Sequence, residues 1–388
     1  MSQQANILVN DLPTRIARSD NGMMRVFWSM VMLCGACGDN LLVDPEQETP
    51  PTEEPTSVVP HFVPDVCSAR SWPSIAYPDR DVDLTVVSTA TGAAIFTVER
   101  AGGALRGFAI DASGKLETKE AGNTLRDDHI FTSVSAAYID ERLVTAAVTD
   151  EGSVTFDMIR PDLGATFNLS TARGTMVADL PITNVREQKL ATVADATDGI
   201  TGIRFDAAWQ TMGTEVLAAK PPRSITATRY REEAMVVWST DTTCHLTRVA
   251  AQRSSVRNFP CVDSRIAVDP DTREGFMVYP EGDGKIMISQ IRVGGESEIA
   301  NTRLFLEHAT SPKIVFDGSR FWISYIDARQ DVIVGYLDDD GILVSTALEG
   351  TQPMGDGYEL ALINGAVWVF AVDGAGANAQ RMCLKPVR

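Results

Sequence analysis

Seven short apolar runs punctuate the chain, and each closes on an acidic residue. They are AAIFTVE to Glu99, LVTAAVTD to Asp150, LATVAD to Asp195, AMVVWSTD to Asp241, FMVYPEGD to Asp283, FWISYID to Asp327 and VWVFAVD to Asp373. The intervals between these acids are 51, 45, 46, 42, 44 and 46 residues. Beyond residue 70 the pattern is short β-type runs broken by turn residues, with no amphipathic helical period. One repeat reads strand by strand: PKIVFD (312–317), FWISYID (321–327), DVIVGYLD (331–338) and ILVSTAL (342–348). Its turns, DGS and DDDG, are built from residues that tolerate tight or left-handed backbone. The repeat before it reads the same way through SRIAVD, FMVYP, KIMISQIR and TRLFLE, whereas the second and third repeats are fainter.

A period near 45 that contains only strands predicts four-stranded antiparallel blades around an axis. The expectation is an all-β, seven-bladed β-propeller over residues 67–388. Its last repeat is one strand short, because YELALI, VWVFAVD and NAQRMCL leave only KPVR. A strand from SWPSIAYP, residues 71–78, is therefore expected to complete that blade and to remove an exposed edge.

The segment before the repeats has a different logic. A short positive stretch, MMR at 23–25, precedes apolar Val26 to Leu33, and Gly35-Ala36 supplies small residues before Cys37. That order predicts a secretion signal. The uncharged run from Val26 to Gly38 has 13 residues, too few for a bilayer that needs about 20. Cys34 and Cys37 form a C-x-x-C, but no βαβ pattern surrounds it as a redox pair would need. The stretch resembles the lipobox of bacterial lipoproteins, with Cys34 standing where leucine is usual and Leu33 one place earlier. The resemblance implies that residues 1–36 are removed, that translation starts at Met23 or Met24 rather than ahead of residues 1–22, and that Cys37 is acylated. It also implies a lipid anchor at the cell envelope, with Gly38 and Asp39 leaning toward the outer rather than the inner membrane. Residues 38–60 hold five prolines and no Lys or Arg, so 37–66 is expected to be the lipidated cysteine and an extended tether.

Composition narrows the partners. The chain has 388 residues, 34 Lys and Arg against 52 Asp and Glu, and a formal charge of −18, which repels phosphates and argues against nucleic acid. Four histidines without metal-ligand spacing lead to no expected metal or cofactor. No G-x-S-x-G, H-E-x-x-H or P-loop occurs, and EGDGK (281–285) and DDDG (338–341) lack calcium-loop spacing. With Cys34 removed and Cys37 acylated, as the lipobox resemblance implies, Cys67, Cys244, Cys261 and Cys383 remain. Three pairings are open, and four free thiols are the alternative. The strand layout favours Cys244 with Cys261 in one blade, and Cys67 with Cys383 across the closing strand.

Blade rhythm and runs such as SPKIVFDGSRFWISYID make the chain similar to propeller-bearing surface lipoproteins of Gram-negative bacteria, a likeness that lends no activity. The expected function is a non-enzymatic binding or scaffold module for a protein, glycan or cation. The alternative is a hydrolase or lyase acting on extracellular polymer with carboxylates at the central channel. Glu99, Asp150, Asp195, Asp241, Asp283, Asp327 and Asp373 should share one face, as a binding rim for cations or basic partners or as a by-product of turn preference.

Overall fold

The computed structural model describes residues 62–72, 82–99, 103–118, 122–160, 162–164, 166–348, 351–353, 357–373 and 375–386. The expected signal, Cys37, the tether up to residue 61 and residues 73–78 lie outside the described residues. In chain order, β1 (Phe62–Trp72) comes first. Then β2 (Val82–Ser88), β3 (Gly92–Glu99), β4 (Gly103–Asp111), β5 (Asn123–Ile139), β6 (Arg142–Thr149), β7 (Ser153–Ile159) and β8 (Thr166–Arg173) pair consecutively in one seven-stranded sheet. A four-stranded sheet follows, of β9 (Met176–Val185), β10 (Gln188–Asp195), β11 (Gly199–Phe205) and β12 (Thr211–Ala218). The next is β13 (Ser224–Tyr230), β14 (Glu233–Ser239), β15 (Cys244–Arg248) and β16 (Arg253–Arg257). After it come β17 (Arg265–Val268), β18 (Glu274–Glu281), β19 (Lys285–Arg292) and β20 (Ile299–Glu307). The sixth group is β21 (Ala309–Phe316), β22 (Phe321–Asp327), β23 (Val332–Leu337) and β24 (Leu343–Leu348). Finally β25 (Tyr358–Ile363), β26 (Ala366–Asp373) and β27 (Gly376–Pro386) are completed by β1.

All pairings are antiparallel, and the described residues contain no helix, so the architecture is all-β in blades. The seven-stranded sheet arises from the length of β5. Its first half pairs with β4 up to Phe131, opposite Gly103, and its second half pairs with β6 from Phe131, opposite Thr149. One continuous strand therefore ends one four-stranded unit and begins the next. The faintness of the second repeat in the sequence follows, because no turn separates the two.

The strand that completes the last blade lies upstream of its expected position. It is Phe62–Trp72, not 71–78, and it runs in register from Phe62 opposite Pro386 to Trp72 opposite Ala377. Paired structure thus starts five residues before the expected boundary at 67. The strand escapes pattern reading because only Pro64 and Trp72 are buried, and its apolar residues do not alternate regularly with polar ones. Tyr336 anchors its start by donating its hydroxyl to the Phe62 carbonyl at 2.9 Å.

Burial sorts the strands by rank within a blade. Second strands are apolar on both faces, as in β3, β6, β10 and β14, because neighbouring blades cover them from both sides. Fourth strands such as β8, β12 and β20 are mostly exposed. Hydrophobic clusters fill each seam between consecutive blades. A further cluster joins Val82, Ile95 and Phe108 to Trp72, Trp368 and Phe370, so the last blade packs against the first. A fully buried ring such as Phe96 or Phe370 contributes about 2 kcal/mol.

Two disulfides complete the scaffold. Cys244 is bonded to Cys261, and Cys67 to Cys383, with sequence separations of 17 and 316. Cys67 and Cys383 lie within paired strands rather than at their ends, and a register shift between Val66 and Ser68 in β1 accommodates the bond.

Candidate functional site

The first strand of each four-stranded unit faces a common cavity. Residues from β2, β5, β9, β13, β17, β21 and β25 line a single volume of about 770 Å³. Contacts between these strands run from β2 to β5, β9, β13, β17, β21 and β25, and from β25 back to β2. Each strand supplies the wall with a charged or hydroxyl residue next to an aliphatic one. These are Asp83-Leu84, Ser133-Val134, Asp179-Leu180, Ser224-Ile225, Arg265-Ile266, Lys313-Ile314 and Glu359-Leu360. The aliphatic member packs into a blade seam, as Leu84, Ile225, Ile266, Ile314 and Leu360 do, while its neighbour turns to the channel.

The channel groups bind one another across blades. Arg265 Nη1 lies 3.0 Å from Asp179 Oδ2, and the Thr226 hydroxyl donates to the same oxygen at 2.8 Å. Lys313 Nζ lies 3.3 Å from Glu359 Oε2 and 5.6 Å from the centre of the Tyr358 ring. The Val134 amide donates to Asp83 Oδ2 at 2.7 Å, and the Ser135 hydroxyl to the Asp179 carbonyl at 2.7 Å. Bulges set two of these side chains. Asp179 sits where the β9–β10 register shifts, and Lys313 follows the β21 shift that contains Ser311 in left-handed backbone at φ 50°. At the mouth, Arg223 reaches Asp241 at 3.1 Å, and the Asp263 amide donates to the Ser224 hydroxyl at 2.9 Å.

The seven acids chosen from the sequence all fall at the turn between second and third strands. Glu99, Asp195, Asp327 and Asp373 close β3, β10, β22 and β26, while Asp150, Asp241 and Asp283 stand in the turns after β6, β14 and β18. Among the described side chains, those of Glu99, Asp150, Asp195, Asp241, Asp283 and Asp327 do not line the channel. Local chemistry occupies several. Asp195 Oδ1 accepts from the Thr197 amide at 2.7 Å and from the Thr197 hydroxyl, which chiefly holds this carboxyl below the usual carboxylate range, while Oδ2 meets Arg173 at 3.2 Å. Asp327 accepts from the Arg329 and Asp331 amides at 2.8 and 3.0 Å.

The same device recurs at the opposite end of the blades. Asp269, Asp317 and Asp338 accept from amides two to four residues on, in turns between first and second or third and fourth strands. Asp317 also takes the Trp322 indole N–H at 2.7 Å, which is the role of DGSRFW at 317–322. Aspartates that accept from their own turns therefore stand at both ends of the blades. The channel acids Asp83, Asp179 and Glu359 were missed because each sits alone inside an apolar strand. The available signal was the recurring charged–aliphatic pair at the period of the acids. Among the described residues no group of three or more His, Cys, Asp or Glu could hold a metal ion.

No family model and no curated protein matches the chain. Among solved structures, BBS1N, crystallised in complex with ARL6DN, is similar at 9% identity and a TM-score of 0.55, over 83% of this chain and 97% of that one. Saccharomyces cerevisiae Sqt1 is similar at 10% identity and a TM-score of 0.49, over 80% of this chain and 98% of that one. The BBS1N likeness concerns the fold alone. It agrees with an all-β, propeller-like arrangement of four-stranded blades.

Proposed function

We propose that residues 62–388 form a closed, seven-bladed propeller that serves as a non-enzymatic partner-binding module, held at the cell envelope by a lipid on Cys37. Counting β5 once in each of two blades supports seven blades, and the Trp72–Phe370–Phe108 cluster with the β1–β27 pairing supports closure.

The observation that carries the binding reading is the state of the channel charges. Asp179 is paired with Arg265 and Glu359 with Lys313, and no histidine is among the described residues of the wall, so these acids are stabilisers of structure and potential rather than a poised acid–base pair. A protein partner is the favoured class, in keeping with the BBS1N neighbour, which was crystallised with a protein bound. The binding end is the one where the channel mouth, Arg223, Asp263 and the acid-bearing turns lie together.

Photo-crosslinking in cells tests this reading, with the crosslinker at Asp263 or at Asp338 on the opposite end. A discrete protein adduct from Asp263 alone is expected, and equal or absent labelling overturns it. For the anchor, Cys37→Ala is expected to abolish acyl labelling and to release the protein from the membrane fraction, since burial of the acyl chain contributes about 0.8 kcal/mol per methylene. Retention with labelling intact excludes Cys37 as the attachment point.

A further inference from the structure

The charges round the channel are segregated. In ring order, β25, β2 and β9 present Glu359, Asp83 and Asp179, and β5 between them adds the hydroxyls of Ser133 and Ser135. The adjacent strands β17 and β21 present two of the wall's three bases, Arg265 and Lys313, the third being Arg223 at the mouth. On one side the arcs meet where Arg265 lies 3.0 Å from Asp179, past the Ser224 and Thr226 hydroxyls of β13. On the other side Glu359 and Lys313 meet directly at 3.3 Å. Asp83, midway along the acidic arc, lies across the ring from β13 and β17.

We propose that this channel binds a zwitterionic ligand of short-peptide size, with its ammonium group on the Asp83 side and its carboxylate between Arg265 and Lys313. The reading is independent of whether a protein docks at the mouth. Three observations carry it. The potential across the cavity is that of a dipole, which complements a ligand bearing opposite charges at its two ends. The volume, about 770 Å³, lies in the range of about 300–1,000 Å³ that accepts ligands larger than a single amino acid. The described lining residues include Val86, Leu180, Ile225 and Val315 but no aromatic ring, which favours a peptide backbone with small side chains over a sugar or base that needs a stacking face.

The remaining titratable groups of the wall stand at the mouth: Arg223 is engaged by Asp241 at 3.1 Å, and Asp263 precedes β17. The Asp179–Arg265 and Lys313–Glu359 pairs, with the bulges at β9 and β21, fix the two arcs in place before a ligand arrives. Such preorganisation reduces what ordering the site costs on binding.

Titration calorimetry on the full-length protein tests the proposal with trialanine, N-acetyl-trialanine and trialanine amide. Free trialanine should bind, and each cap should weaken binding at least about tenfold. Asp83→Asn should weaken the free and amide forms, which keep the ammonium, and leave the acetyl form unaffected. Lys313→Met should weaken the free and acetyl forms and leave the amide unaffected; Arg265→Gln replaces it if the melting curve shows that Lys313→Met does not fold. No binding of trialanine, binding indifferent to both caps, or sensitivity to one cap only overturns the proposal. Crosslinking at Asp263 reads out the partner reading separately, so either can fail alone.

Discussion

The acids of the turns and the acids of the channel are the same residue types in opposite situations. Asp195, Asp317 and Asp327 accept hydrogen bonds from residues two to five positions on, so each is stabilised by the segment that contains it, with Arg173 adding to Asp195. Asp83, Asp179 and Glu359 are held from 46 to 86 residues away, by Val134, Arg265 and Lys313, and only the assembled ring brings those partners near. The disulfides divide likewise, 17 residues apart in one blade and 316 across the closing one. Local bonds build the blades, and distant ones define what the ring encloses. Disturbing each class should therefore produce different symptoms.

The largest contrast is expected between the two bridges. Changing Cys67 and Cys383 to serine should cost about 5 kcal/mol in the chain-entropy description, and changing Cys244 and Cys261 about 3. Urea melts of the two double variants measure this, and the reverse order breaks the comparison. Next, Lys313→Met should destabilise by about 2 kcal/mol, because it leaves Glu359 largely buried without its cation. The double change Lys313→Met with Glu359→Leu should recover more than half of that loss in the same melts.

Asp317→Ala should cost about 1.5 kcal/mol by leaving the Trp322 indole and the turn amides of Ser319 and Arg320 unpaired. The acid limb of the stability curve carries the same signature. Burial acts to raise the Asp317 carboxyl, but the bonds from Trp322, Arg320 and Ser319 outweigh it and hold it below the usual range, as Thr197 does for Asp195. With the folded values lower than the unfolded one, near about 3.9, this stabilisation is complete above that pH and is lost as pH falls through the folded values. Asp195→Asn combined with Asp317→Asn should flatten the limb below about pH 4 in chemical melts. The smallest effect is expected from calcium or magnesium, with a melting shift within about 1 °C, since the rim acids Asp195 and Asp327 are already occupied by their own turns. A larger shift, abolished by changing Asp241, Asp327 and Asp373 to asparagine, would restore the rim as a cation site.

What the sequence made legible follows from the same division. Second strands announce themselves because they are buried on both faces, and the period of the acids marks the turns behind them. Fourth strands are exposed and read poorly, and β1 was placed too far along the chain because its partner, not its own hydrophobicity, makes it a strand. The sharing of β5 left no turn to read. The channel charges were hidden for a different reason. A single Asp83 or Lys313 in an apolar run carries no local signature, and its meaning depends on which strands the fold makes neighbours.

The pairing of β1 with β27 also sets a timetable. Of the described strands β1 is the first to be synthesised, and its partner is the last. No blade-forming neighbour exists for it until the whole repeat array has been made. Through that interval its backbone groups face solvent or a chaperone, and a passing strand from another molecule competes for them. The pairing is non-local, the kind that forms slowly, and losing residues 376–386 would leave β1 without its partner strand.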